Sequence, residues 1–364
     1  MDNIKPQEKI SFGIVGSGWR SEFFLRIAKA LPNRFQVTGL VTRSEVKGKE
    51  IENLWGVKTF RTIDELIKGS GFAFVVVCVP WDIAPIMIKE LSEKKVPVLS
   101  ETPPAPNLEA LIEINKLTQQ GAKIQVAEQY HLQPLHAARI AIANSGKLGE
   151  ISQVQLSVCH GYHGISLIRR LLGIKFENAT ISASEIISPL VMSPGREGDP
   201  TEEKSVESHQ VIASLDFGKK LGIYDFTDDQ YFSYIRAQRL LIRGYKGEIT
   251  DKSVRYLKDF RTPVEFELKR QNAGEDGNLA GYYLKGILAG EEWIYENPLI
   301  PGRLTDDEIA IGSCLLKMYQ YTKDGIDFYS LAEASQDHYL SLMINQAVSI
   351  GEKVKTESQP WSLK

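Results

Sequence analysis

The run Gly13 to Ser21, reading GIVGSGWRS, constrains this chain more than any other stretch. It follows an apolar, strand-like segment (Ile10, Phe12, Ile14, Val15) and leads into residues with helical periodicity, Phe23, Phe24, Ile27, Ala28 and Leu31. Glycines at 16 and 18, placed where a strand turns into a helix, let the backbone pass close to a phosphate and aim the amides of the helix start toward it. The third glycine of the usual GxGxxG pattern is replaced by Ser21, which is small enough to keep helix and strand closely packed. The loop therefore predicts a dinucleotide cradle made of Gly16, Ser17, Gly18, Trp19 and Arg20.

A second apolar run, Phe35 to Val41, ends in Thr42, Arg43 and Ser44. This is about twenty residues beyond the glycines, where such folds read the adenine-side ribose. An acid at that point would hold both ribose hydroxyls and repel a 2′-phosphate, but Glu45 comes only after the turn. Arg43, flanked by two hydroxyl residues, suits a 2′-phosphate, so NADP is favoured with NAD as the alternative.

Strand-like and helix-like segments alternate through the first 127 residues, with strands expected at 10–15, 36–41, 57–60, 72–79, 96–99 and 123–127. Short continuous apolar runs such as FAFVVVCV suit a parallel sheet covered on both faces, and the alternation predicts a doubly wound α/β domain. Ligand belongs at the carboxyl ends of its strands. That rule adds Pro80, Trp81, Glu101, Thr102, Glu128 and Tyr130 to the cofactor candidates, Trp81 either lining the nicotinamide side or capping the sheet edge. From residue 128 onward the pattern changes. A helix at 133–145 precedes longer, alternating strand signals from 151 to about 270, which predict a large, open, mostly antiparallel sheet in an α+β domain. Residues 188–205 read as a long loop, and helices near 305–321 and 330–350 close the chain. The expected division is thus 1–127 for the dinucleotide domain and 128–364 for substrate binding and oligomerisation.

Several function classes fall away on composition. With 43 basic and 46 acidic residues spread along 364, no nucleic-acid or anionic-membrane partner is expected. The N-terminus lacks a basic stretch followed by an apolar one, and the longest apolar run, Phe72 to Pro80, is too short for a bilayer, so a cytoplasmic location is expected. Cys78, Cys159 and Cys314 have no CxxC spacing and read as buried thiols rather than a disulfide framework or zinc site.

Five landmarks in order, namely Gly13 to Ser21, the turn Glu101-Thr102-Pro103-Pro104-Ala105, Glu128-Gln129-Tyr130, the helix end Gly146 to Gly149, and His163 to Gly173, resemble the Gfo/Idh/MocA family of glucose-fructose oxidoreductases, inositol dehydrogenases and rhizopine catabolism proteins. The resemblance covers residues 10 to about 175. It implies NAD(P) in the first domain, a sugar-like or polyol-like small molecule against the open sheet of the second, and hydride transfer between a carbinol and a carbonyl. Relatives often pair these sheets face to face, which implies a homodimer or homotetramer through the C-terminal sheet.

Two of the family's polar anchors are altered. Its turn usually reads Glu-Lys-Pro, with the lysine near the nicotinamide and the reacting oxygen, and Thr102 stands in that position here. Its His-x-x-Asp helix start becomes His163-Gly164-Ile165-Ser166. A histidine titrates near neutrality, so His163 is the expected proton carrier, with Tyr162 beside it and Thr102 holding the reacting oxygen. His160, His163, Ser166 and Tyr130 are the substrate-binding candidates. His160 and His163 lack a carboxylate or cysteine pair in ligand register, so no metal is expected. Tyr231, Phe232, Tyr234 and Arg236 read as sheet core or subunit interface. Three outcomes stay open: a net oxidoreductase, a lyase or hydrolase that oxidises its substrate only transiently, and a protein that binds dinucleotide or sugar without turnover.

Overall fold

The computed structural model describes residues 8–362. Along the first stretch the elements are β1 (Ile10–Val15), α1 (Trp19–Ala30), β2 (Phe35–Val41), α2 (Glu45–Trp55), β3 (Thr59–Phe60), α3 (Ile63–Gly69), β4 (Phe74–Val77), α4 (Ala84–Glu93), β5 (Val98–Ser100), α5 (Leu108–Gln119) and β6 (Ile124–Val126). The strands form one six-stranded sheet in the order β3-β2-β1-β4-β5-β6, with each neighbouring pair parallel. The four residues of β4, Phe74 to Val77, are all buried, as expected of a strand covered on both faces. Chain order reverses between β1 and β4, which places the ligand crevice of this doubly wound fold at their carboxyl ends.

The second stretch holds α6 (Pro134–Asn144), β7 (Ile151–Ser157), α7 (Gly161–Leu172), β8 (Thr180–Val191), β9 (Ser205–Asp216), β10 (Leu221–Phe226), β11 (Arg239–Gly244), β12 (Gly247–Thr250), β13 (Ser253–Leu257), β14 (Pro263–Ala273), β15 (Tyr283–Ala289) and β16 (Glu292–Glu296). It ends in α8 (Asp306–Asp324), α9 (Leu331–Ile350) and β17 (Val354–Lys355). Its strands make an eleven-stranded sheet in the order β16-β15-β14-β13-β12-β11-β7-β10-β9-β8-β17. The sheet is mostly antiparallel, with a parallel pair at β7 and β10. Strands β8 and β9 carry the pairing out to Val191 and Ser205, so the expected loop at 188–205 is shorter than its Pro- and Gly-rich composition suggests. The hairpin β15–β16 lies beyond the strand signals that the sequence carries to about residue 270.

Two compact units result, and the chain enters each more than once. One comprises residues up to Pro134 with 271–285 and 296–335, and the other comprises 135–270, 286–295 and 336–364. Residues 296–335 therefore group with the first sheet, although they follow the second in sequence. The reason is burial. Thr305 caps α8 through a reciprocal box with Glu308, and Ile311, Cys314, Leu315 and Met318 join one core cluster with Phe12, Phe24, Ile27 and Phe74. These residues recur at helical spacing and face α1, β1 and β4, so α8 covers the sheet as a crossover helix would. Replacing the fully buried Leu315 by Ala is expected to destabilise this unit by about 3 kcal/mol in a denaturant titration. A loss under about 1 kcal/mol would show that the helix is peripheral to the core.

Candidate functional site

In the first unit, the loop after β1 crosses the end of β4. Gly16 has φ +114°, and a β-carbon there would stand 2.1 Å from the Cys78 carbonyl oxygen. No residue with a side chain fits. Gly18 is different: its backbone is ordinary, and a β-carbon would meet nothing within 4 Å. The space before it is open, and Gly18 caps α1 without bringing a side-chain acceptor to the first amides. A pyrophosphate completes that arrangement, so the chain's own residues fit a dinucleotide. Ser21 is buried, and its hydroxyl donates to the Gly18 carbonyl at 2.6 Å, which ties the cradle to the first turn of α1.

Arg20 and Glu101 meet across this crevice, Nε to Oε1 at 2.9 Å, with both side chains largely buried. Burial disfavours the Arg20 charge, but the adjacent Glu101 carboxylate outweighs it and raises the pKa. Arg20 is thus a partner of Glu101 as well as a neighbour of the cradle. The other oxygen of Glu101, Oε2, accepts from the Thr102 amide at 3.3 Å. The ion pair therefore holds the turn that presents Thr102, which precedes a cis peptide to Pro103. Trp19 and Trp81 are about half exposed on the same unit. Glu128 is buried and accepts the Tyr130 amide at 3.0 Å, fixing the turn after β6, while His131 is buried against the Tyr329 ring.

At the ribose end, the three turn residues after β2 divide. Thr42 is buried, and its hydroxyl lies 2.9 Å from the Ser17 hydroxyl. Ser44 caps α2, its oxygen accepting from the Lys47 amide at 3.2 Å. Arg43 is exposed and has no side-chain partner among the described residues.

The second unit gathers the other candidates around the start of α7. His163, Tyr162 and Ser166 are buried, Ser166 fully so, with its hydroxyl unpartnered. His160, the residue before the helix, is half-buried and lies 5.0 Å from the His163 ring, centroid to centroid. Tyr231 was expected in sheet core or interface, yet it stands on a 3-10 turn, Asp228–Tyr231, with its hydroxyl 2.6 Å from His160 Nδ1. The same hydroxyl accepts from the His160 amide at 3.1 Å. The hydroxyl and Nδ1 share one hydrogen bond, whose direction follows the tautomer of the ring. Burial, with His163 nearby, lowers the His160 pKa to about 4 against a partial opposing effect of Asp228. His160 is a neutral imidazole at neutral pH. His338, 175 positions beyond His163, brings its ring to 5.5 Å from that of Tyr162. Nothing in the sequence links residues that far apart. Spacing alone could place His163 and Ser166 on one helical face, but α7 is buried nearly all round, so the face does not distinguish site from core. Among the described residues, no three His, Cys, Asp or Glu side chains converge as a metal site, and no helix is long and apolar enough to cross a membrane.

The parallel sheet, the glycine cradle and the open second sheet define a two-unit protein with a Rossmann nucleotide-binding module. Residues 10–129 match the family model GFO_IDH_MocA, described as oxidoreductase family, NAD-binding Rossmann fold, so the likeness to that family is carried by the first domain. No curated protein matches the chain. Among solved structures, an NAD-binding oxidoreductase from Klebsiella pneumoniae superimposes with a TM-score of 0.70 at 16% identity, over 97% of this chain and 100% of its own. The scyllo-inositol dehydrogenase of Lactobacillus casei gives 0.65 at 15%, over 96% and 99%. The WlbA dehydrogenase of Bordetella pertussis, solved with NADH and UDP-GlcNAcA, gives 0.64 at 16%, over 97% and 100%. At these identities the likeness is one of fold, and it spans nearly the whole chain.

The state of His160 can be checked directly. Its pKa in the fold lies below the ordinary 6.5, so an unfolded chain takes up a proton that the folded one resists. The stability this histidine contributes is complete above pH 6.5 and is lost as the pH falls toward 4, by up to about 1.4 kcal/mol per pH unit. His136, lowered to about 3 by burial and then by Arg139, acts in the same sense. Ring resonances separate the two: the His160 signals should stay those of a neutral imidazole down to about pH 5, and a midpoint near 6.5 would contradict its burial beside His163.

Proposed function

We propose that the chain is a nicotinamide-dependent oxidoreductase acting at a CH–OH carbon of a sugar-like or polyol-like small molecule, with NADP preferred over NAD. The observation that carries this reading is the cradle, with Gly16 forced by the Cys78 carbonyl and open space before Gly18. When bound, the nicotinamide gives or takes the hydride. The rest of the reaction falls to this chain's side chains. Thr102, held through its amide by Glu101, would hydrogen-bond the oxygen that gains or loses a proton. His163 would carry that proton with Tyr162 beside it, their rings 4.4 Å apart. His160 would hydrogen-bond a substrate hydroxyl through Nε2, and Tyr130 and Ser166 would add polar contacts. Positioning would supply much of the rate. A domain division near residue 127, a cytoplasmic location and pairing of C-terminal sheets into a homodimer or homotetramer belong to the same proposal. Ile186, Ile187 and Val191 of β8, about half exposed, support the last.

Arg43, with a free guanidinium at the ribose turn, supports the NADP preference. Arg43→Ala is expected to weaken NADP about tenfold more than NAD, because it removes a charge-assisted contact to the 2′-phosphate alone. Equal losses in fluorescence titrations would remove that preference.

A second reading has its own support. Thr102 cannot exchange a proton near neutral pH, and His163, Tyr162 and Ser166 are buried, which favours a protein that binds cofactor without net redox, whether a lyase, a hydrolase or a sensor. Substrate-dependent change in NADPH absorbance distinguishes them, since only a net oxidoreductase consumes or produces NADPH steadily. Thr102→Lys should raise turnover by about tenfold or more if a proton donor is all that is missing. No gain, together with unchanged cofactor binding, would favour the second reading.

A further inference from the structure

We propose that Arg61 is a second phosphate-recognising residue at the adenine-ribose end, which works with Arg43 to select a 2′-phosphorylated dinucleotide. This rests on the reading of Arg43 above, and it follows from what the turn hydroxyls are already doing. Thr42 is buried against Ser17, and Ser44 is occupied in capping α2. Arg43 alone would face a group carrying close to two negative charges.

Arg61 stands immediately after β3, whose Phe60 pairs in register with Val41 at the end of β2. Its guanidinium thus arrives at the ribose turn from the neighbouring strand. Nη1 is anchored, donating to the Thr42 carbonyl at 3.1 Å and to the Phe60 carbonyl at 3.2 Å, with the Thr59 hydroxyl at 3.5 Å. The backbone is fixed as well, since its amide donates to Glu65 Oε2 at 2.8 Å in the cap of α3. Among the described residues, no acceptor bonds to Nε or Nη2 and no carboxylate forms an ion pair with the group. The neighbouring Glu52 carboxylate is engaged by Thr59, its Oε1 accepting the Thr59 amide at 2.8 Å and the Thr59 hydroxyl at 2.7 Å.

Gly48, in the first turns of α2, reports the same space. A β-carbon there would lie 2.7 Å from Arg61 Nη2 and 2.8 Å from the Thr59 hydroxyl. The glycine is therefore what lets the guanidinium lie under the turn. A half-buried arginine with one nitrogen pinned and one edge unspent is oriented for phosphate oxygens, and a lysine, a single point charge, would not reproduce that edge.

The test uses two adenosine ligands with the intact protein, adenosine 2′,5′-bisphosphate and adenosine 5′-monophosphate, by calorimetry. Wild type should prefer the bisphosphate. Arg61→Gln should lower bisphosphate affinity by about tenfold and 5′-monophosphate affinity by less than about threefold, while Arg61→Lys restores only part of the loss. Gly48→Ala keeps every charge but crowds the guanidinium. It should reduce the bisphosphate preference with melting temperature unchanged or raised, since alanine favours the helix. Equal loss of both ligands in Arg61→Gln would make Arg61 an adenine or structural contact and overturn the proposal, as would no loss of either. If Arg43→Ala abolishes the preference and Arg61→Gln does not, Arg61 fails alone. A wild type without preference removes the 2′-phosphate reading itself.

Discussion

The first unit depends on the close passage of Gly16 over the carbonyl of Cys78. It lies at the point where β1 and β4 diverge in connection, and a side chain at residue 16 would collide with the end of β4. With the loop pressed down there, α1 starts at the crevice and Arg20 reaches Glu101 at the end of β5. That pair joins elements on both sides of the switch point, and Glu101 in turn holds the Thr102 amide. The cradle for a phosphate and the turn that presents Thr102 are therefore mechanically one assembly. Loss of the carboxylate would leave a largely buried guanidinium uncompensated, which is costly in a site of this kind.

Much of the first unit is legible in the sequence because its signals are local. Apolar runs of strand length, capping residues such as Thr62 and Asn107, and glycines at a strand-to-helix turn each act within a few positions. Helix α8 shows where this stops. Its apolar stripe and the Thr305 cap were readable, but what the stripe covers depends on a return of the chain past an entire second sheet. The helix packs with Phe24 and Ile27, almost 300 residues earlier, because that surface of the sheet would otherwise stay exposed. Sequence order is a poor guide to unit membership whenever a late helix completes an early core. The β15–β16 hairpin was overlooked for a related reason: its alternation is interrupted by Gly286, whose Cα packs against the Tyr295 carbonyl, a constraint visible only once the strands are paired.

The candidate site was legible by residue type and much less by accessibility. The spacing of His163 and Ser166 is a statement about direction around a helix axis, and it says nothing about what lies on that side. Helix α7 is buried on nearly every side, and its far end is fixed by the buried ion pair of Arg169 with Asp337 at 2.5 Å. The residue left partly open is His160, which precedes the helix and is oriented by Tyr231, on a turn some seventy residues later. No spacing rule connects them. A tyrosine hydroxyl that accepts from the His160 amide and bonds the ring at Nδ1 fixes the orientation of the ring without any charge.

That difference bears on which groups can do proton chemistry. A ring whose pKa is lowered to about 4 stays neutral in a fixed orientation and is poorly matched to accept a proton at pH 7. Thr102 has the same limitation from the opposite side, with a hydroxyl too weakly acidic to exchange. Each of these two groups is held within its own unit, Thr102 through its amide by Glu101 and His160 through its ring by Tyr231. Loss of either support would therefore disturb a polar group that the support does not replace, so Glu101 and Tyr231 matter to the orientation of Thr102 and His160 as much as those residues' own side chains do.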